Sequence, residues 1–346
     1  MKTMHAARLI EIGKPLEIAE LGIPQPSTGE ILVRVRAAGI CSSDIHYQDG
    51  RSKVTRLPIT LGHEIAGEVA ACGEGVTLFN PGDRVCLFYL ITCGKCMMCC
   101  TGRDNYCKEA KMLGKNIDGG FAEYLVVPER NAFTFPDSIP FSRAALMTDA
   151  VATPFHALKR AHIQTGDDVL VIGIGGLGIH AVQIARIMGA GKVIAMDLSP
   201  EKLSLAKKVG ATAVINPLEE NVEKRIEEIT EGRGVDVAIE LIGLSRTIRQ
   251  AVDSTGSGGR TVVVGICPEE MGLNPYHDLL LKERTILGSA DQSRADLPTI
   301  IELVAQGRLD LSHSVSLELP LAEINRGLDI LRKKEDNPVR IVVTFP

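Results

Sequence analysis

The 346-residue sequence has no tryptophan, and aromatic residues make up only 4% of it. A binding site walled by stacked aromatic rings therefore has little material to be built from. Basic charge is not in excess either: 38 Lys and Arg stand against 43 Asp and Glu, a formal net charge of −5, with the cations scattered among acids. No nucleic-acid partner is expected, because a phosphate backbone would meet no basic surface. Apolar runs fall short of the roughly 20 residues that span a bilayer, so no membrane partner is expected. The opening MKTMHAARLIEIGKP lacks the apolar core of a signal peptide, and a cytoplasmic location is expected. Repeats, low-complexity tracts and long linkers are also missing. The nine cysteines do not suggest a disulfide framework: the count is odd, and five crowd between Cys93 and Cys107, a spacing that suits metal ligation in a reducing compartment.

What is present is ordinary globular composition, 45% hydrophobic and 23% charged, in a chain long enough for two cores. The first 145 residues carry short β-type runs such as Glu30 to Ala37 (EILVRVRA) and Phe121 to Val127 (FAEYLVV), bounded by Gly, Pro and Asp. From about Asp167 to Gly288 strand and helix patterns alternate: DVLVIGI, HAVQIARIMG, KVIAMD, PEKLSLAKKVG, TAVIN, then strands at Val235 to Glu240 and Arg260 to Gly265. Such alternation predicts an α/β domain, a parallel sheet covered by helices. Helices at Leu297 to Gln306 and Leu321 to Leu331 and a strand at Val339 to Thr344 complete the chain.

Gly173, Gly175 and Gly178 form G-x-G-x-x-G, with Gly176 and Leu177 inside it, after a predicted strand and at a helix start. Glycines there allow a tight turn and let a pyrophosphate approach backbone N–H groups at the positive helix end. The next strand ends in Asp197, 19 residues beyond Gly178, where a carboxylate can accept hydrogen bonds from ribose hydroxyls. That acid would repel a ribose 2′-phosphate, so NAD is expected over NADP; nearby Lys202 is the one residue that could soften the preference.

Cys93, Cys96, Cys99 and Cys107 have the spacing C-x2-C-x2-C-x7-C in a polar loop, and four thiolates close a tetrahedral structural zinc site. Cys100 is left out as the neighbour of a ligand, and an iron–sulfur cluster is the alternative occupant. In GICSSDIH and LGHEIAGEV, Cys41 and His63 can begin a catalytic zinc site, which takes three protein ligands and leaves one position open. Ser43, Asp44, His46 and Glu64 lie within the same segments.

Gly62, His63, Glu64, Gly67, Gly73 and Val76 spell G-H-E-x2-G-x5-G-x2-V. With the cysteine lobe, the nucleotide fingerprint and their order, this resembles the zinc-containing medium-chain dehydrogenase/reductase family, over nearly the whole chain. The resemblance implies a GroES-like mostly β catalytic domain from residues 1–150 and 291–346, a Rossmann NAD-binding domain at 151–290, and an active site between them. It implies two zinc ions per chain, NAD, and oxidation of an alcohol or reduction of its carbonyl. It also points to Asp149 as the third catalytic zinc ligand, in LMTDAVATPFHAL, with Glu64 the competitor. By the same resemblance Ser43 and His46 relay the proton, Asp44 orients His63, and Arg340 lies near the zinc or the cofactor phosphate. A homotetramer or homodimer is implied, joined through edge strands of the nucleotide domain near RTVVVGI. A small aliphatic or alicyclic secondary alcohol leads the substrate expectations, followed by polyols and then an amino-alcohol such as threonine. Two other readings, a zinc-free NADPH quinone reductase and a non-enzymatic nucleotide binder, are disfavoured by the intact Cys41, His63 and Ser43.

Overall fold

The computed structural model describes residues 2–346. Its contacts divide the chain into two compact units: residues up to Ala152 together with Ser293–Pro346, and Thr153–Gln292.

The second unit is contiguous. Its six strands are, in sequence, Val169–Ile172, Val193–Met196, Ala213–Ile215, Val235–Glu240, Thr255–Val263 and Thr285–Gly288. They pair in the order third, second, first, fourth, fifth, sixth, every pair parallel. VLVI and VIAM are buried at all four positions, as strands covered on both faces must be. Leu170, Ile172, Ile194, Met196, Ile215 and Ile226 form one apolar cluster between sheet and helices. Strand order reverses between the first and fourth strands, which opens a crevice at their carboxyl ends. RTVVVGI, expected near an edge, contributes to the fifth strand, next to the border; the edge strand itself is Thr285–Gly288, too short to show a period in the sequence.

In the first unit the eleven-residue strand Glu30–Ile40 is central. It pairs antiparallel with Glu64–Cys72, with Tyr124–Pro128, and with Ile341–Thr344 from the far end of the sequence. Helix Ile324–Lys333 packs close to this sheet at Gly327, where a Cβ would stand 2.6 Å from Ile40 Cδ1. Two registers bring distant segments together. Gly39 lies opposite Glu64, and Ile40 opposite Ile341, so Cys41, His63, Glu64 and Arg340 emerge at the same end of the sheet.

Candidate metal centres and nucleotide loop

Cys41 ends the central strand and precedes the helix Ser42–Gln48. Asp44 fixes that turn, since its Oδ2 accepts the Cys41 N–H at 2.8 Å and its Oδ1 accepts the Gly62 N–H at 3.2 Å. The same Oδ1 lies 3.6 Å from His63 Nδ1, which leaves Nε2 to face the centre of the cluster. Asp149 comes from a buried π-helical turn, Met147–Val151, a wide turn of the kind often found at functional sites. Its Oδ2 is 3.5 Å from both Cys41 Sγ and His63 Nε2. Cys41, His63, Glu64 and Asp149 are all buried, with one potential ligand atom from each inside a common 4.8 Å span.

Glu64 and Arg340 form a separate buried pair, Oε1 to Nη2 at 2.7 Å, and Arg340 also reaches Asp149 Oδ2 at 3.6 Å. Sequence reasoning missed the residue that makes room for them. A Cβ at Gly39 would stand 1.9 Å from Glu64 Oε2, so a side chain there would push that carboxylate from its present place. A glycine near the end of EILVRVRAAGI means little until its partner strand is known. Tyr89, packed edge-on against His63 at 5.2 Å, was also missed and carries no motif.

The electrostatics call for a cation. Four acidic groups, Cys41, Asp44, Glu64 and Asp149, face one permanent positive charge, Arg340, away from solvent. Burial drives the Glu64 carboxyl well above its ordinary range; Arg340 opposes the shift, and Asp149 and Cys41 add to it. Burial also disfavours charge on His63, but Asp44, Asp149 and Cys41 outweigh it and raise that pKa. A divalent ion would relieve both. The separations suit zinc, whose nitrogen and oxygen ligands at about 2.0–2.2 Å stand roughly 3.5 Å apart around a tetrahedron.

The cysteine lobe passes the same test. Cys93, Cys96, Cys99 and Cys107 bring their sulfurs within 4.8 Å of one another, with 3.5 Å from Cys96 to Cys99 and 3.9 Å from Cys93 to Cys99. Tetrahedral zinc at about 2.3 Å per bond places sulfurs about 3.8 Å apart. Backbone N–H groups of Lys95 and Cys96 lower the Cys93 thiol to about 6, so a thiolate is available at neutral pH. Cys100 is exposed and lies outside the cluster.

Around these centres Ser43 Oγ is buried without a hydrogen-bond partner, and His46 is half-buried on the same helix. Burial, then Arg51, lowers the His46 pKa, with Asp49 opposing.

In the other unit the glycine loop divides its labour. Gly173 has φ +93°, Gly175 has no atom within 4 Å of where a Cβ would be, and a Cβ on Gly178 would lie 1.9 Å from Gly173 O. These are the turn, the open approach and the close helix contact that a pyrophosphate loop requires. Leu177 occupies the N-cap of helix Gly178–Ile187, and Gly176 O meets His180 Nδ1 at 2.7 Å. Asp197 closes the second strand and receives the Ile174 N–H from the loop at 2.7 Å. Lys202 lies in the first turn of helix Pro200–Lys208, its N–H on Ser199 Oγ.

Comparison with known proteins gives the class. Residues 27–137 match the alcohol dehydrogenase GroES-like domain and residues 176–306 the zinc-binding dehydrogenase domain. Sorbitol dehydrogenase of Bacillus subtilis is 35% identical over 336 residues, 95% of this chain and 94% of that one. Alcohol dehydrogenase of Geobacillus stearothermophilus is 36% identical over 336 residues, 96% and 98% of the two chains. A zinc-binding dehydrogenase structure from Sinorhizobium meliloti, bound to NADP, superposes with a TM-score of 0.91 at 33% identity over the full length of both. The chain therefore belongs to the zinc-containing medium-chain dehydrogenase/reductase family, a class of oxidoreductases.

Proposed function

We propose that the chain is an NAD-dependent zinc alcohol dehydrogenase that interconverts a small primary or secondary alcohol and its aldehyde or ketone. The observation that carries the reading is Asp149 Oδ2, equidistant at 3.5 Å from Cys41 Sγ and His63 Nε2 in a buried, acid-rich cluster. Asp149 is the third ligand in preference to Glu64, because the Glu64 charge is already committed to Arg340 at 2.7 Å. When bound, zinc supplies a Lewis acid that makes an alcohol hydroxyl easier to deprotonate, and NAD supplies the hydride acceptor.

The protein's own groups do the rest. Asp44 holds the His63 ring in orientation through Nδ1. Ser43 Oγ, buried and otherwise unpartnered, takes the substrate proton, and His46 hands it to solvent. With its pKa lowered, His46 is neutral at pH 7 and free to accept. Ser43→Ala should lower kcat by about 10²-fold, the usual contribution of a positioned proton-transfer group, with zinc content unchanged. A loss below about threefold in steady-state assays would remove Ser43 from the relay.

Cofactor choice is assigned to Asp197. The Sinorhizobium relative carries NADP, so the preference here rests on this chain's own carboxylate at the ribose end of the loop. Asp197→Gly should cut the ratio of kcat/KM for NAD over NADP by about 10- to 100-fold, since one charge repulsion is relieved and two hydrogen bonds are lost. An unchanged ratio would show that another residue chooses. The reading as a whole is tested by metal analysis and NADH formation: two zinc ions per chain with alcohol-dependent NAD reduction support it, and a folded, zinc-loaded protein that oxidises no alcohol overturns it.

A further inference from the structure

The chain is acidic overall, yet the run Arg51 to Arg56 (RSKVTR) holds three cations and no acid. It follows the helix that carries Ser43 and His46 after Asp49 and Gly50, and the Ser52 N–H donates to His46 O at 3.0 Å. A second segment is laced to it: the Thr55 N–H donates to Lys115 O at 3.1 Å and Thr55 Oγ1 to Asn116 O at 3.1 Å. Lys115 Nζ stands 5.7 Å from the centre of the Tyr47 ring. Tyr47 is four residues beyond Ser43, so both occupy one face of the helix, with an ammonium held above that face.

The neighbouring arginines are neutralised. Arg51 pairs with Asp49 at 2.8 Å, Arg332 shares Asp49 at 3.0 Å, and Arg56 pairs with Asp118 at 2.7 Å. Among the described residues, Lys53 and Lys115 have no carboxylate within 4.0 Å. A single unpaired surface lysine means little. Here two stand on adjacent, hydrogen-bonded segments, one tied by backbone to the helix that carries Ser43 and His46 and the other with its ammonium beside Tyr47 of that helix.

We infer that the alcohol oxidised by this protein carries an anionic group, a carboxylate or a phosphate ester, that Lys115 and Lys53 hold while its hydroxyl lies at Ser43. The inference rests on the dehydrogenase reading and narrows its substrate class. Flexible ammonium groups on long stems can serve either anion as point charges, and neutral alcohols make no use of them.

The test uses a matched six-carbon set, sorbitol, gluconate and sorbitol 6-phosphate, titrated calorimetrically into the zinc- and NADH-loaded protein. At low ionic strength at least one anion should bind about tenfold or more tightly than sorbitol, the effect of one charge-assisted hydrogen bond. The advantage should shrink in 0.5 M NaCl and collapse in Lys115→Glu and Lys53→Glu, with neutral Lys115→Met intermediate. Preference for gluconate alone selects the carboxylate, and preference for the ester alone selects the phosphate. Equal affinities across the set, or a preference that survives both charge reversals, overturn the inference. The two failures are distinguishable: NAD reduction by neutral alcohols without any anion preference sinks only the substrate class. Salt-sensitive anion binding in a protein that reduces no NAD with any alcohol sinks the dehydrogenase reading, and with it the substrate class, while leaving an anion site at the lysines.

Discussion

Replacing Cys41 or His63 by alanine is expected to remove one of two zinc ions and to lower kcat/KM by at least about a thousandfold, because the metal supplies several kcal/mol of charge stabilisation. The two side chains share Asp149 Oδ2 as a common neighbour at 3.5 Å, so loss of either leaves an incomplete triangle of donors. The remaining ion should stay with Cys93, Cys96, Cys99 and Cys107, whose sulfurs make no contact with the first cluster. Metal analysis of the variants against the unaltered protein reads this directly. A folded Cys41→Ala protein with two zinc ions and full turnover would end the assignment. On the proposed ligand set, Asp149→Ala should behave like Cys41→Ala, whereas Glu64→Gln should keep both ions, since the Glu64 carboxylate pairs with Arg340.

Arg340→Ala is expected to produce the largest loss of stability, about 3–5 kcal/mol, the usual result of removing one member of a buried ion pair. Arg340 is 2% exposed and Glu64 fully buried, so water cannot replace the lost partner. Two further acids, Cys41 and Asp149, lie in the same cluster and sharpen the penalty. Protonation of Glu64 caps the loss, and its carboxyl is already shifted by burial towards the neutral form. Urea unfolding of metal-free protein measures the effect without the stabilisation that zinc binding adds to the native state. The double variant Arg340→Met with Glu64→Leu should recover much of the difference, because two apolar groups leave no orphaned charge. A loss below about 1 kcal/mol in the single variant would mean the pair is solvated.

Much of the nucleotide unit was readable because its signals are local. Gly173, Gly175, Gly178 and Asp197 lie within a short stretch, and the glycine spacing carries the physics of a turn, an open approach and a close helix contact. The cysteine lobe was legible for the same reason. The other metal cluster is assembled from segments far apart in sequence. Cys41 and His63 were readable from their chemistry, but the third ligand came only through the family resemblance, since nothing in LMTDAVATPFHAL marks Asp149 as part of a buried π-turn. Arg340 was placed loosely, near metal or phosphate, and the antiparallel register Ile40 to Ile341 is what seats it against Glu64. Register is a long-range property that alternation within one strand does not encode. Gly39 and the edge strand Thr285–Gly288 escaped notice for related reasons, one being silent without its partner strand and the other too short to show a period.

The pairing of Ile341–Thr344 with the strand that leads into Cys41 has a consequence for biosynthesis. Thr153–Gln292 leaves the ribosome with every residue of its own unit already made, and can fold while translation continues. The other unit must wait until Arg340 is made, because it is the counter-charge for a carboxylate translated some 276 residues earlier, at Glu64. Until then the acidic cluster has neither its guanidinium nor its closing strand, so a nascent chain would carry a nucleotide fold before it could hold a properly balanced metal pocket.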